Sequence, residues 1–182
     1  LEWSGSGRGD YRESPLELAG EPADFRYTGY KIHEGGVSMA CGLPQAHDAR
    51  ETLEITLSQP GAELTLFYTA FPTAIVRRTV LTNTGDKPLR LNKLMSSCVD
   101  LPGSYTMATF NGGWIAEMRR CDTPVGASKV VNESLTGSSS NRHNPGFLLY
   151  EPGATEDAGT VYGFNLIYSG NHYAASQQSL QG

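Results

Sequence analysis

A short polar segment near the amino terminus carries the side chains best suited to binding chemistry. Asp10, Tyr11 and Arg12 follow two glycines, Gly7 and Gly9, in a stretch without apolar periodicity. An arginine fork and a carboxylate can bracket the vicinal hydroxyls of a sugar, and a tyrosine ring can supply an apolar wall. Alternatively, Asp10 pairs with a neighbouring arginine and only holds the loop in place. The residues alone leave both interpretations open.

The sequence contains none of the short motifs that mark common catalytic or cofactor sites. There is no G-x-S-x-G, P-loop, H-E-x-x-H or dinucleotide-binding glycine pattern. A pair of acids for glycoside hydrolysis must lie about 5–5.5 Å or 6.5–9.5 Å apart, which a sequence cannot show. We therefore expect turn and cap roles for Asp100, Glu156 and Asp157, and we assign no catalytic residue and no metal ligand. The four histidines lie far apart, at His33, His47, His143 and His172.

Short alternating runs of apolar residues predict the β-strands that must position these groups. Leu53, Ile55 and Leu57 point to one side of a strand over residues 52–58. Residues 63–70 repeat the pattern after a Gln59-Pro60-Gly61-Ala62 turn, so the pair predicts a hairpin. Strands separated by turns, without a sustained helical period, predict an all-β antiparallel sandwich. Further strands are expected over residues 73–83, 89–100, 105–110, 113–118, 129–135, 146–151 and 159–168.

Two segments interrupt this pattern of strands. Residues 1–22 begin with a glycine-rich stretch that is too flexible for a strand and too polar for a core. Residues 136–145, here called the polar loop, offer many hydrogen-bond donors and acceptors. The polar loop is either a solvated connection or a binding loop. Trp114 lies in a predicted strand with core-like neighbours, which favours burial of its ring.

Length and composition bound the class of protein. A chain of 182 residues fits one large domain, which we assign to residues 1–182 and expect to be part of a longer chain. Fourteen basic and 19 acidic residues, without charge runs, argue against binding to nucleic acid or an anionic membrane. Cys41, Cys98 and Cys121 lack metal-type spacing and are expected to be reduced thiols in a reducing compartment.

A series of short segments becomes specific when its order along the chain is considered. The segments are Gly7-Arg8-Gly9-Asp10-Tyr11-Arg12-Glu13, Phe25-Arg26-Tyr27, Gly42-Leu43-Pro44, Glu51-Thr52-Leu53, Asn83-Thr84-Gly85-Asp86, Cys98-Val99-Asp100-Leu101-Pro102, Asn111-Gly112-Gly113-Trp114, Ser139-Ser140-Asn141-Arg142-His143-Asn144-Pro145, Thr155-Glu156-Asp157, Val161-Tyr162-Gly163-Phe164 and Tyr168-Ser169-Gly170-Asn171. In this order they resemble the amino-terminal domain of bacterial α-galactosidases of glycoside hydrolase family 36.

The resemblance implies a β-supersandwich, followed in the parent enzyme by a (β/α)8 barrel that carries two catalytic aspartates and by a small carboxy-terminal β-domain. The Lys-Trp-Asp type motif of the barrel nucleophile is absent here, so we expect this chain to be catalytically silent. The parent enzyme is expected to release terminal α-linked galactose from melibiose or raffinose-type oligosaccharides with retention. It is expected to be cytoplasmic and to need no metal or organic cofactor.

In this family, the loop that resembles residues 7–12 reaches towards the active site of an adjacent subunit in a tetramer. Carried over by position, Asp10 and Arg12 would hold the sugar beyond the cleaved galactose, with Tyr11 as the aromatic wall. Two other functions stay open. A free-standing carbohydrate-binding module would need a row of exposed aromatic side chains, and a purely structural oligomerisation domain would use the loop only as a subunit contact.

Overall fold

A computed structural model describes residues 14–39 and 42–179 of the chain. These residues form antiparallel strands and no helix, and they divide into two compact units, one ending at Asp100 and one beginning at Leu101. The assignment of residues 1–182 to one domain stays a prediction. The strands are β1 Leu16–Leu18, β2 Glu21–Pro22, β3 Arg26–Glu34, β4 Glu51–Gln59, β5 Ala62–Ala70, β6 Ile75–Asn83, β7 Leu91–Leu94, β8 Thr106–Gly113, β9 Ala116–Pro124, β10 Val130–Ser134, β11 His143–Tyr150, β12 Val161–Asn165 and β13 His172–Ser176.

The first unit is a two-sheet antiparallel arrangement with its core between the sheets. A four-stranded sheet has the order β3-β4-β5-β6, and a three-stranded sheet has the order β2-β1-β7. Leu57, Leu64 and Leu66 alternate along β4 and β5 and pack in one buried cluster with Leu16 and Leu18 of β1. Burying each of these leucine side chains contributes about 1.5–3 kcal/mol, so this cluster holds the two sheets together.

The hairpin predicted from residues 52–58 and 63–70 is confirmed as β4 and β5, which pair in continuous register from Glu51↔Ala70 to Gln59↔Ala62. The positive φ of Gly61, +80°, explains why the turn needs glycine. Arg77 and Arg78 are consecutive residues of β6 and lie on opposite faces of the sheet. Their guanidinium groups lie over the rings of Tyr68 and Phe67, at 4.1 and 4.6 Å from the ring centroids.

One expectation for the first unit is wrong. The strand expected over residues 89–100 is only the four-residue β7, and it pairs with β1 in the three-stranded sheet. Cys98 therefore lies beyond β7 in an irregular segment and is only partly buried, not in an apolar strand. Leu16 and Leu18 of β1, which follow the glycine-rich stretch, are core positions and are 1% and 7% exposed. A strand of three residues is too short to show an alternating pattern.

The second unit has a four-stranded sheet, in the order β12-β11-β8-β9, and a separate β10-β13 pair. Met107 and Ala108 of β8 are completely buried, and the rings of Phe147 and Phe164 stack between β11 and β12 with centroids 4.9 Å apart. The predicted antiparallel β-sandwich is thus the observed fold class. None of the described segments is a helix of the length and apolarity that crossing a membrane requires.

Candidate functional site

The residues predicted to bind substrate, Asp10, Tyr11 and Arg12, lie outside the described residues. Their placement and their role stay predictions. Cys41 lies outside them as well, and Cys121 has an exposed free thiol.

The acids considered for catalysis do not form a site in the described part of the chain. Glu156 and Asp157 are exposed in the turn between β11 and β12. The Thr155 hydroxyl oxygen accepts hydrogen bonds from the backbone N–H groups of Asp157 and Ala158, at 3.3 and 3.2 Å. Asp100 is exposed at the end of the first unit. Glu156 and Asp157 are thus turn residues, as expected, whereas Asp100 lies in an irregular segment.

The histidines are also dispersed. The Nε2 atom of His33 on β3 lies 2.7 Å from the carboxylate oxygen Oε2 of Glu54 on β4. The Nζ atom of Lys31 lies 3.5 Å from the other oxygen of the same carboxylate. His47 is exposed in the segment before β4. Within residues 14–39 and 42–179, no cluster of three or more histidine, cysteine or acidic side chains could hold a metal ion.

The polar loop, residues 136–145, is tied down by its own hydrogen bonds. The Ser139 hydroxyl donates to the carbonyls of Tyr168 and Gly170 at 2.9 and 3.1 Å. The backbone N–H of Gly137 donates to the side chain of Asn171 at 2.7 Å. Because these groups serve the loop itself, they hold it against residues 168–171 instead of facing a ligand.

The same loop is joined to the β8-β9 hairpin. The N–H of Gly112 donates to the carbonyl of Arg142 at 3.3 Å, and the Asn144 amide contacts the sulfur of Met118 at 3.1 Å. Asn111 pairs with His143 in the ladder between β8 and β11. The end of the hairpin, the polar loop and residues 168–171 therefore meet at one end of the second unit.

The hairpin itself ends in a two-residue connection, Trp114 and Ile115, between the paired residues Gly113 and Ala116. We call Trp114 and Ile115 the tip. Their side chains are 88% and 82% exposed, so the expectation that Trp114 has core-like surroundings is wrong. The adjacent glycines, Gly112 and Gly113, are a turn signal that could have located the tip. The predicted strand over residues 113–118 placed the turn too early.

A buried polar layer lies behind the polar loop. Asn132, Ser134 and His172 are 2%, 2% and 4% exposed, and Ser134 pairs with His172 between β10 and β13. The Asn132 amide donates to the carbonyl of Asn144 at 2.8 Å. Both ring nitrogens of His172 lack a hydrogen-bond partner among the described residues. Burial lowers the pKa of the His172 imidazole, with a smaller lowering from His143 and an opposing effect of Glu133.

We expect His172 to make the fold acid-sensitive near neutral pH. The folded-state pKa lies below the ordinary histidine value of about 6.5, so the unfolded chain binds more protons between the two values. Stability is therefore retained above about pH 6.5 and falls as the pH drops below it, by at most about 1.4 kcal/mol per pH unit for one proton.

Urea unfolding between pH 7.5 and 5.5 measures this slope. The His172→Gln variant should lose most of it, whatever its stability at pH 7.5, because glutamine does not titrate. His47→Gln is the matched control, since it makes the same replacement at an exposed position. An equal slope in the wild type and in His172→Gln would contradict the prediction.

Comparison with known proteins agrees with the arrangement of strands. Residues 1–182 match the model of the glycosyl hydrolase family 36 N-terminal domain. The probable alpha-galactosidase G of Emericella nidulans is 34% identical over 194 residues, which cover 100% of this chain and 27% of that protein.

Two solved structures from Geobacillus stearothermophilus show the same fold. The GH36 alpha-galactosidase AgaB has a TM-score of 0.84 at 32% identity and is matched over 97% of this chain and 26% of its own. A variant of the alpha-galactosidase AgaA, in complex with stachyose, gives the same four values. The chain thus spans about a quarter of the length of these relatives. By sequence and by fold, the chain belongs to the family of glycosyl hydrolase family 36 N-terminal domains.

Proposed function

We propose that this chain is the non-catalytic amino-terminal domain of an α-galactosidase. The parent enzyme would hydrolyse terminal α-galactosides, such as melibiose and raffinose-type oligosaccharides, with retention of configuration. One aspartate of the barrel would form the glycosyl-enzyme, and a second would act first as acid and then as base. The domain would support oligomerisation and substrate recognition.

The observation that carries this proposal is the family match over residues 1–182, combined with the share of each relative that the match covers. About three-quarters of AgaB and of the AgaA variant lies outside the matched region. Two of the three candidate acids, Glu156 and Asp157, do not form a catalytic pair with each other, because they lie side by side in an exposed turn. Two neighbours in one turn cannot flank a sugar from opposite sides, as the two carboxylates of a glycosidase must.

The isolated chain of residues 1–182 should therefore show no glycosidase activity. Purified protein incubated with a nitrophenyl α-galactoside should release nitrophenol at the rate of a buffer blank. The control is the intact enzyme at equal molar concentration, which should turn over. Activity in the isolated chain that disappears when Asp100, Glu156 or Asp157 is replaced would show that the chain is itself a catalyst.

Substrate recognition is assigned to Asp10, Tyr11 and Arg12. The AgaA variant was solved in complex with stachyose, an oligosaccharide of the raffinose type, and this supports a substrate with sugars beyond the terminal galactose. A carboxylate and a guanidinium group can share the hydroxyls of such a second sugar, and a tyrosine ring can cover its apolar face. The loop would act across a subunit contact of a homo-oligomer, as the resemblance implies for a tetramer.

Two further parts of the assignment stay predictions. The enzyme is expected to be cytoplasmic, and a bacterial source is expected, although a fungal protein matches at 34% identity and a bacterial one at 32%. A free-standing carbohydrate-binding module is favoured by one observation, the exposure of Trp114. Its neighbour in the tip, Ile115, is apolar and has no group that could bind a sugar hydroxyl.

A further inference from the structure

One end of the second unit gathers exposed apolar side chains. We call Trp114, Ile115, Met118, Ile167 and Tyr168 the apolar end; each of their side chains is more than half exposed. Ile167 and Tyr168 follow the end of β12, and the carbonyl of Tyr168 accepts a hydrogen bond from the polar loop. The loop in turn contacts the β8-β9 hairpin through Arg142 and Asn144, so these five residues share one end of the unit.

The tip is held in a conformation that its residue types disfavour. Ile115 has a φ of +66°, a turn position that glycine or asparagine usually fills, and a β-branched residue is a genuine outlier there. Met118, four residues from Trp114, also has a positive φ, of +56°. Strain of this kind persists where the surrounding structure enforces it, and it is concentrated at functional positions.

A strained turn that presents a tryptophan and an isoleucine to solvent has the properties of a binding anchor. Tryptophan is enriched among the residues that dominate binding energy, and such residues fill desolvated pockets on the partner. The tip projects from the end of a hairpin, so it is convex and requires a concave partner. A carbohydrate-binding surface would instead be flat or grooved and would surround the ring with hydrogen-bonding groups.

We infer that the tip inserts into an apolar pocket on the remaining part of the α-galactosidase polypeptide, the part that lies outside the region matched by this chain. This inference rests on the proposed function. The partner that holds this pocket is inferred from the size of the relatives. About three-quarters of each solved relative lies outside the matched region and is large enough to contain such a pocket. Met118, Ile167 and Tyr168, the other residues of the apolar end, would then contact the same partner surface around the tip.

Hydroxyl-radical footprinting of the intact enzyme tests the insertion directly. Oxidation of Trp114, followed by mass spectrometry, should be at least about tenfold slower in the native enzyme than in the same enzyme in urea, because interface anchors are fully desolvated. Native oxidation within about twofold of the unfolded rate would overturn the inference, since an 88% exposed ring is nearly as accessible as one in an unfolded chain.

The same experiment separates the other occupants. Protection that appears only when raffinose is added would identify a sugar site at the tip and overturn the inference. Protection that is lost when the enzyme is diluted below its assembly range would point to a second copy of the domain, and this would overturn it as well. Protection that is independent of sugar and of concentration supports insertion into the enzyme's own polypeptide.

The Ile115→Asn variant distinguishes a tip that is free in solvent from a tip that is inserted in a pocket, by the direction in which it shifts the midpoint of thermal inactivation. Asparagine tolerates a positive φ, so in a free tip this change relieves strain and keeps or raises the midpoint of thermal inactivation. In a docked tip it places an amide in an apolar pocket, and the midpoint should fall by several degrees while Trp114 loses its protection. The control is Val161→Thr on β12, at the opposite end of the same sheet, which should change neither readout.

Failure of the proposed function is distinguishable from failure of this inference. An intact enzyme that protects Trp114 but does not cleave α-galactosides would remove the proposed activity and leave the docking contact. An enzyme that cleaves α-galactosides while Trp114 stays freely oxidised, and while Ile115→Asn raises its thermal midpoint, would retain the function and refute the contact.

Discussion

Replacing Asp10 by alanine in the intact enzyme should lower kcat/KM for raffinose by about ten- to a hundredfold, mainly through KM. A hydrogen bond between a carboxylate and a sugar hydroxyl is charge-assisted and contributes about 1.5–3 kcal/mol, which corresponds to this factor. A nitrophenyl α-galactoside has no second sugar and should lose much less activity. Steady-state kinetics with the two substrates, on the same enzyme preparation, provide the comparison.

The ratio of the two losses distinguishes the roles of Asp10. A selective loss with raffinose supports contact with the second sugar. Asp10→Asn is the matched variant, because it keeps the shape and one acceptor oxygen but removes the charge, and its loss should be smaller. Equal losses with both substrates, or no loss with either, would mean that Asp10 only fixes the loop or a subunit contact. The substrate-contact role would then be withdrawn, while membership of the family would stand.

Replacing Gly112 by alanine should destabilise the second unit by about 1–3 kcal/mol, the range found for overpacking. A Cβ at this position would lie 2.9 Å from the carbonyl carbon of Ala116 and 3.0 Å from the Cα of Glu117, both in the next strand. It would also overlap the Ala116 carbonyl oxygen. These are backbone atoms and cannot rotate away as a side chain can. The hairpin must therefore distort, and the register shift between Asn111 and Gly113 lies at the same point.

The neighbouring glycine supplies the control for this prediction. A Cβ on Gly113 would meet nothing within 4 Å, so Gly113→Ala should leave stability unchanged or raise it slightly. Urea titration should show a midpoint lower by on the order of 1 M for Gly112→Ala alone. If the two variants unfold at the same urea concentration, the close approach of β9 to Gly112 has no energetic consequence, and the explanation is incorrect.

Apolar alternation and turn residues were sufficient to predict the parts of the fold that depend only on neighbouring positions in the sequence. The β4-β5 hairpin was predicted to within one residue at each of its four strand ends, because alternation identifies the strands and Pro60-Gly61 identifies the turn. The opposite faces of Arg77 and Arg78 followed from the two-residue period of a strand. The family was recognisable from the order of short segments, which is a property of the chain and does not depend on its folding.

Pairing between distant segments was not predictable in this way. The apolar residues of β7 fit a hairpin with β6 as well as they fit a place beside β1, and only the packed core around Leu16 distinguishes the two. His172 is similar, since a histidine in a short polar sequence can be exposed or buried. Its 4% exposure follows from the position of β13 beside β10.

The sequence by itself thus determined the fold class, the family and the position of Asp10, Tyr11 and Arg12 in a polar, glycine-rich segment. It did so because strand alternation and turn residues depend on a few neighbouring positions, and the order of the motifs along the chain does not depend on folding. The tertiary structure alone decided that Trp114 is exposed and His172 is buried. Burial depends on which distant strands cover a residue. The sequence around Trp114 is compatible with a core position and with a surface position, and only the register of β8 and β9 places this residue in the exposed turn.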